Sequence, residues 1–505
     1  MEIDSHVPHA YTEDKSNDDH IPHRILKGEP FMNVVLVVFD SWRKDCTGVY
    51  GSPPWGKVWT PNFDRFAGES LVMTRAFPES LPTLPARRAM YTGRRVYPFH
   101  NSDFRLKGAF VGAPGWGPIP EEQPTLAELL SKSHYRTALI ADVYHMFKPS
   151  MNFWRGFHQW TFLRGQEIDP ARSGPRLTQD EIDYWLPEEL RNIEHGVGGN
   201  FERFIQSCIT NIRDRTREED YFAPRVLREA ALWLEQNQDA DNFFLTVESF
   251  DPHEPWLVPQ HYRKMYMPED GREQVISLYR DVSDLDTKLL KRTQANYSGE
   301  ITMCDRWFGF FMDTLKELGR LDDTMVILTS DHGHSIGDRN YMGKRQYPSG
   351  PEVFDIPLMI RFPGAEHAGT SSNQFVQHHD ISALILEAAG VEPPPDIDGI
   401  SFLESAASGK AGQRDHVTVA WGSTVTVIND RWWLNCKVDG TGVMLRDLGD
   451  AEPFSQNVAE GNEDVVNELF ALAKNDAGGS FPEWILKIAR SQKDAPGCSV
   501  LVSRP

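Results

Sequence analysis

Cysteine is scarce in this sequence, and its few copies are scattered along the chain. The 505 residues include five cysteines, and no two of them have the spacing of a metal-binding pair. An odd number of isolated thiols excludes a small scaffold held together by disulfide bonds. The fold must therefore rest on a hydrophobic core, and a chain of this length is expected to form one large domain and a smaller one.

Positive charge is also in short supply. Lysine and arginine total 52 against 73 aspartates and glutamates, so the formal net charge is -21. This balance excludes a general nucleic-acid binder, because such a protein needs a basic surface. It leaves a small anionic substrate open, since a local group of Arg, Lys and metal sets the electric field within a site.

Long apolar runs are missing as well. No stretch of about 18 apolar residues occurs, so no segment is expected to span a membrane. Residues 1–30 are polar and acidic, without the apolar run of a signal peptide. We expect a polar N-terminal arm over these residues, a cytoplasmic location, and neither a membrane nor a nucleic acid as partner.

What the chain does contain is a series of short apolar runs, which are typical of strands buried on both faces. Four core strands are predicted, at Asn33 to Phe39, Arg136 to Ile140, Asn242 to Phe250 and Thr324 to Thr329. Helical patterns lie between them, the longest from Tyr297 to Leu318. This organisation predicts an α/β fold.

Residues able to bind a cation follow two of these strands. Asp40 comes after the first, and the neighbours Asp331 and His332 come after the fourth. The carboxyl ends of parallel strands meet at one edge of the sheet, where α/β proteins bind ligands. Such donors suit Mg²⁺, Mn²⁺ or Ca²⁺ better than they suit a thiolate zinc site. We expect one divalent cation here, with a helix N-cap as the alternative role for Asp40.

The stretch from Ser80 to Arg95 has the pattern of a helix that begins at an anion. Thr83 is well placed as the N-cap, and Pro85 is tolerated in the first turn. The free N–H groups of a helix N-terminus attract an anionic group. Arg87 lies one turn along and is expected to reach the same anion. An ordinary capped surface helix is the alternative.

Several motifs occur in an order that resembles one family. The run Thr83-Leu84-Pro85-Ala86-Arg87, followed by Thr92-Gly93-Arg94, resembles the sulfatase signature. That signature reads Cys or Ser, any residue, Pro, any residue, Arg, and then Thr-Gly-Arg. Further sulfatase-like motifs are Pro252-His253-Glu254-Pro255, Ser330-Asp331-His332-Gly333 and Gly343-Lys344. The chain therefore resembles the sulfatase branch of the alkaline phosphatase superfamily, near phosphonate monoester hydrolases and arylsulfatases.

This resemblance implies a fold and a division of the chain. A large, mostly parallel sheet between layers of helices is expected over residues 31–412, and a small antiparallel-sheet domain with a tail over 413–505. Residues 147–221 are a charged and aromatic insertion without a recognisable pattern. The arm, the insertion and the tail exceed what two domains need, so we expect a homo-oligomer.

The resemblance also implies roles for side chains around the ester. Arg87 and Lys344 are expected to hold its non-bridging oxygens as charge builds there. His253 or His145 is expected to assist the departing oxygen. The alternatives are a packed loop residue for His145 and a turn residue between prolines for His253.

Thr83 departs from the family pattern. In sulfatases this position is a Cys or Ser that is oxidised to formylglycine, whereas oxidation of a Thr would give a ketone. No formylglycine is therefore expected. Thr83 is instead expected to be a further metal ligand, whose hydroxyl loses its proton more readily and attacks the ester. Water would then cleave the resulting covalent ester.

Three functions are consistent with these residues. The favoured one is a metal-dependent hydrolase that cleaves small sulfate, phosphate or phosphonate esters. The others are a group transferase on the same fold and a binding protein in which catalysis is impaired.

Overall fold

An eight-stranded sheet runs through the part of the chain that the structure, a computed structural model, describes. The described residues are 32–97, 113–148, 151–187, 190, 201–269, 273–410 and 412–491. The predicted N-terminal arm, residues 1–30, lies outside them. In chain order the strands are β1 (Asn33–Phe39), β2 (Leu71–Phe77), β3 (Arg136–Ala141), β4 (Gln159–Phe162), β5 (Phe243–Ser249), β6 (Arg280–Asp281), β7 (Thr324–Ser330), β8 (Ser335–Ile336), β9 (Tyr341–Gly343), β10 (Ile356–Arg361), β11 (Thr370–Gln377), β12 (His416–Trp421), β13 (Thr424–Asn429), β14 (Trp432–Lys437) and β15 (Met444–Asp447).

Most neighbours in the large sheet are parallel. Its strand order is β11-β2-β10-β7-β1-β5-β3-β4. The central strand β1 pairs in parallel with β5 and β7, and β3 does so with β5 and β4. Only β10 is antiparallel to its neighbours, β2 and β7, among the described strands of this sheet. The predicted mostly parallel sheet is confirmed.

Helices cover both faces of this sheet. In chain order they are α1 (Pro61–Gly68), α2 (Thr83–Thr92), α3 (Leu126–Lys132), α4 (Gln179–Trp185), α5 (Phe201–Ile212), α6 (Phe222–Gln236), α7 (Gln260–Lys264), α8 (Thr287–Glu317), α9 (Pro351–Phe354), α10 (His378–Ala388), α11 (Leu403–Ser408), α12 (Glu463–Asp476) and α13 (Glu483–Ser491). Alternate residues of β1 face opposite sides, so Val35 packs in one core with α1, α6 and α8. Leu36 packs in the other core with α2, α3 and α10.

The smaller sheet is antiparallel, as predicted. It has the order β12-β13-β14-β15 and packs against α12 and α13 through a core that includes Leu434 and Leu469. A bridge between Ser80 and Ala420 joins it to the segment that precedes α2. The proposed division between residues 412 and 413 stays a prediction.

Helix α8 and the insertion differ from the sequence prediction. Helix α8 begins at Thr287, ten residues before the predicted start at Tyr297. Its N-cap is Asp286, whose carboxylate accepts hydrogen bonds from the N–H groups of Lys288 and Leu289. Part of the insertion joins the sheet, because β4 pairs with β3 and extends its edge.

No described helix combines the length and the apolar character that crossing a bilayer requires.

Candidate active site

The candidate site is built where three neighbouring parallel strands end. Phe39 of β1 is paired with Ser330 of β7, so Asp40 and Asp331 leave the sheet side by side. Glu248, near the end of β5, is paired with Val38 of β1. The sheet register therefore brings three carboxylates to one edge, although their positions in the sequence are far apart.

Two of these carboxylates form a metal-compatible cluster with His332. One ligand atom from each of Asp40, Asp331 and His332 lies within 4.8 Å of the others, and all three side chains are fully buried. Nδ1 of His332 lies 3.0 Å from the Gly333 carbonyl oxygen, to which it donates its proton. Nε2 of His332 is buried and lacks a hydrogen-bond partner among the described residues. The Nε2 lone pair of His332, without a hydrogen-bond donor and close to two carboxylates, is suited to bind a divalent cation.

The Oδ1 oxygens of the two aspartates accept hydrogen bonds from the residues that follow β1 and β7. Oδ1 of Asp40 accepts from the Ser41 hydroxyl at 2.8 Å. Oδ1 of Asp331 accepts from the backbone N–H groups of Ser41 at 3.0 Å and His332 at 2.8 Å. Each aspartate thus keeps its Oδ2 oxygen for contacts within the cluster.

Arg87 lies among all three carboxylates. Its Nη1 donates to Oδ2 of Asp40 at 2.9 Å and of Asp331 at 2.6 Å, and its Nε donates to Glu248 at 2.9 Å. The guanidinium holds the pKa of Asp40 below its usual range although burial opposes ionisation. Burial and the neighbouring Asp40 raise the pKa of Asp331. One arginine therefore does not neutralise the cluster, and a divalent cation would supply the missing positive charge.

Lys344 and His253 form a second group. Nζ of Lys344 lies 2.6 Å from Nε2 of His253, and the His253 ring stacks on Phe250 with 4.1 Å between ring centroids. Nδ1 of His253 lies 3.2 Å from a carboxylate oxygen of Glu167 and 3.3 Å from one of Glu254. Burial lowers the pKa of His253, but these carboxylates outweigh it and raise the pKa to about 9.

His145 lies near the same aromatic ring. Its ring centroid is 5.9 Å from that of Phe250 and 4.0 Å from that of Tyr144. Burial holds the pKa of His145 well below its usual value, and the nearby His253 acts in the same direction. His145 is therefore a buried imidazole on the His253 side of the site, and its role at the leaving oxygen stays a prediction.

Thr83 is the first residue of α2 rather than its N-cap. The N-cap is Pro82, whose side chain makes no capping hydrogen bond, so the predicted capping role of Thr83 is wrong. The Thr83 carbonyl accepts a hydrogen bond from Nη1 of Arg87 at 3.3 Å, which connects Thr83 to the carboxylate cluster. Its side chain is buried, and within the described part of the chain no hydrogen bond from its hydroxyl is found.

The sulfatase family model matches residues 32–391 of this chain. The chain belongs to the sulfatase family.

Known relatives of this sulfatase-family chain are ester hydrolases. It is 28% identical over 434 residues to the multifunctional alkaline phosphatase superfamily protein PehA of Trinickia caryophylli, covering 75% of this chain and 77% of that one. It is 26% identical over 406 residues to an arylsulfatase of Clostridium perfringens (strain 13 / Type A), covering 76% of this chain and 80% of the relative. The sulfatase-family chain is thus an ester hydrolase of the alkaline phosphatase superfamily.

Solved structures support the fold. The phosphonate monoester hydrolase of Agrobacterium radiobacter superposes with a TM-score of 0.65 at 21% identity, covering 91% of this chain and 96% of that one. The phosphonate monoester hydrolase SpPMH of Silicibacter pomeroyi gives a TM-score of 0.62 at 19% identity, covering 93% and 97%. The predicted alkaline-phosphatase-like fold is confirmed.

Three carboxylates of this sulfatase-family site were not predicted from the sequence. They are Glu248, Glu167 and Glu254. A signal existed for Glu248, because it is the single charged residue within the apolar strand Phe243–Ser249. Glu167 lies in the insertion, and the sequence offered no pattern that connects it with His253.

Proposed function

We propose that this protein hydrolyses small sulfate or phosphonate esters with the hydroxyl of Thr83 as nucleophile. The observation that carries the proposal is the buried cluster of Asp40, Asp331 and His332, at the carboxyl edge of the sheet in a chain of the sulfatase family. Phosphate esters belong to the same chemistry and stay within the proposal.

Asp40, Asp331 and His332 are the residues that would hold the cation. When bound, a divalent cation stabilises negative charge on the ester oxygens and lowers the pKa of a nearby hydroxyl. Arg87 holds the two aspartates in place through Nη1. Its buried Nη2 has no hydrogen-bond partner among the described residues, which supports the expected contact between Arg87 and an ester oxygen.

Thr83 forms the covalent bond in this scheme. As its oxygen attacks sulfur or phosphorus, the hydroxyl proton passes to solvent and the bond from that atom to the leaving oxygen breaks. Water then attacks the same sulfur or phosphorus atom, and the bond to the Thr83 oxygen breaks. That oxygen takes a proton from solvent, which releases the acid and restores the Thr83 hydroxyl. The uncommitted hydroxyl at the start of α2 supports this role, because the helix N-terminus favours developing negative charge.

His253 and Lys344 handle the proton of the departing oxygen. Only one proton fits between two nitrogens that are 2.6 Å apart, so the two side chains share it. In the first step the pair gives this proton to the leaving oxygen. In the second step it takes a proton from the attacking water. Lys344 also places positive charge beside the ester, as the sequence motif predicts.

A substrate panel tests the proposal. Purified protein is assayed with 4-nitrophenyl sulfate, 4-nitrophenyl phenylphosphonate, a bis-aryl phosphodiester and an aryl phosphate, each with Mn²⁺, Mg²⁺, Ca²⁺ or Zn²⁺ added. We expect turnover of sulfate or phosphonate esters and strong loss of that turnover with a chelator. Absence of turnover with metal bound would contradict hydrolysis and favour a binding function, whereas transfer to an added alcohol in place of water would favour a transferase.

A further inference from the structure

The Nδ1 nitrogen of His253 faces two carboxylates that have no role in the proposed hydrolysis so far. Nδ1 lies 3.2 Å from Oε1 of Glu167 and 3.3 Å from Oε2 of Glu254. The His253 and Glu254 side chains are almost completely buried, and that of Glu167 is 9% exposed. Charges so close in a low-dielectric setting influence each other strongly.

The hydrogen bonds of His253 show that its Nδ1 atom carries a proton. Nδ1 lies 2.9 Å from the backbone carbonyl of Glu254, and a carbonyl oxygen is only an acceptor. Nδ1 therefore carries a proton. Nε2, on the other side of the ring, faces Nζ of Lys344.

This assignment decides between two interpretations of the Glu167, His253 and Glu254 group. One ligand atom from each lies within 4.8 Å of the others, as in a metal site. A cation needs a lone pair on the imidazole, but Nδ1 is occupied by its proton and Nε2 by Lys344. The group is accordingly a histidine oriented by carboxylates, not a second metal site.

Glu167 is itself held by Tyr144 and by the α5 residue Asn211. Its Oε2 accepts a hydrogen bond from the Tyr144 hydroxyl at 2.9 Å. Its backbone has a φ of 43°, in the left-handed region that non-glycine residues seldom adopt. Asn211 of α5 donates to the carbonyls of Glu167 at 3.4 Å and Asp169 at 2.8 Å. A strained residue with this much support is a mark of functional placement.

We propose that Glu167 is a positioning residue whose carboxylate faces the protonated Nδ1 of His253, beside the Glu254 carbonyl that accepts its hydrogen bond, and fixes the ring for proton transfer at Nε2. Its negative charge stabilises the positive charge of the His253 and Lys344 pair until the proton leaves. This inference rests on the proposed function and deepens it, because it gives the insertion a part in the departure of the leaving group.

The dependence of rate on the leaving group tests this role. Glu167→Gln keeps an acceptor of similar size and removes the charge. We expect kcat to fall about tenfold or more with phenyl esters, whose leaving oxygen needs a proton, and less than about threefold with 4-nitrophenyl esters. The matched control is Glu181→Gln, a carboxylate of the same insertion that is 40% exposed and pairs with Arg213.

Glu181→Gln is expected to leave both rates unchanged. An equal loss with both leaving groups in Glu167→Gln would indicate a purely structural effect and overturn the proposal, as would no loss with either. Metal analysis adds a separate test. If the wild type binds two metal ions and Glu167→Gln binds only one, Glu167 would be a ligand of a second metal ion, and the positioning role would be wrong.

A spectroscopic measurement keeps the inference testable if the wild-type protein hydrolyses no ester of the panel. Protein labelled with ¹⁵N-histidine is expected to show a downfield Nδ1–H proton signal for His253, assigned by its loss in His253→Asn. Glu167→Gln is expected to move this signal upfield. An unchanged signal, or the absence of an Nδ1–H signal in the wild type, would overturn the inference independently of the proposed function.

Discussion

Arg87 determines the charge balance at the centre of the site. Three fully buried carboxylates, Asp40, Glu248 and Asp331, surround its one positive charge. A buried carboxylate without a partner is strongly destabilising in its charged form. Burial and the neighbouring Asp40 raise the pKa of Asp331, which is the result of this excess of negative charge. A divalent cation relieves it, and this is the physical basis for the predicted metal dependence.

Asp331→Asn is predicted to abolish metal binding. The substitution removes one negative charge and one of the three ligands while it preserves side-chain size. Removal of a ligand should reduce metal affinity by more than the roughly 10–100-fold typical of outer-shell partners. The measurement is metal content after dialysis, together with affinity by calorimetry.

Asp323→Asn is the matched control for this experiment. Asp323 precedes the same strand β7 at its opposite end, and its side chain is 52% exposed. This variant is expected to retain the wild-type metal content. Full retention of metal by Asp331→Asn would remove the metal site described here.

Site residues that belong to a recognisable local sequence pattern could be predicted from the sequence. Asp331 and His332 are adjacent polar residues after an apolar strand, so their chemistry is visible without a structure. Glu167 depends on a tertiary contact with His253, and nothing local distinguishes it from a surface carboxylate. Glu254 lies next to His253 in the sequence, but the contact of its carboxylate with Nδ1 was not predicted from the motif. The carboxylate partners of Arg87 likewise required the sheet register.

At the scale of elements, a buried aspartate joins two helices. Asp305 of α8 accepts hydrogen bonds from the backbone N–H groups of Asn62 at 2.9 Å and Phe63 at 2.6 Å, in the first turn of α1. The same carboxylate accepts from the Asn62 side chain at 2.9 Å. Burial raises the pKa of Asp305 to about 7 even though these hydrogen bonds oppose the shift.

This pKa shift predicts a dependence of stability on pH. The pKa of Asp305 in the folded protein lies above its unfolded value, so between about pH 4 and 7 the folded state binds a proton that the unfolded state has lost. Stability contributed by this group is present below pH 4 and falls as pH rises through 7. Asp305→Asn should therefore become more stable relative to wild type with rising pH, by at most about 1.4 kcal/mol per pH unit.

Urea unfolding at pH 5, 6, 7 and 8 measures this difference. Asp313→Asn on the same helix is the control, because Asp313 is 57% exposed and forms a surface pair with Arg65. Its stability relative to wild type should hardly change with pH. A constant difference between Asp305→Asn and wild type across this range would show that Asp305 is ionised in the folded protein.

In the large sheet, strands that are buried along almost their whole length were predicted from the sequence, whereas partly exposed strands were not. The four apolar runs became β1, β3, β5 and β7 with bounds within one residue of those predicted. Strand β2 was missed, since Thr74 and Arg75 interrupt its apolar pattern. Strand β11 was missed as well, because its first half is largely exposed and polar. Strands of this kind are defined by their partners in the sheet rather than by their own residues.

At the scale of the whole molecule, the fold confirmed the resemblance that the motifs indicated. The family model spans residues 32–391, and the motifs lie within this range in the expected order. The substrate is less predictable from the sequence than the fold, because the insertion at residues 147–221 has no recognisable pattern. Part of this insertion also lies outside the described residues. Self-association and a cytoplasmic location stay predictions from the sequence.

The role of Thr83 as nucleophile is tested most directly by the hydrolysis rate of Thr83→Ala with the best ester of the panel, measured beside Thr83→Ser and wild type. We predict loss of essentially all activity in Thr83→Ala, because the nucleophile is gone while the proposed metal ligands Asp40, Asp331 and His332 remain. Thr83→Ser keeps a hydroxyl and should retain a measurable part of the rate. Hydrolysis by Thr83→Ala at the wild-type rate would contradict a Thr83 nucleophile and assign the attack to water.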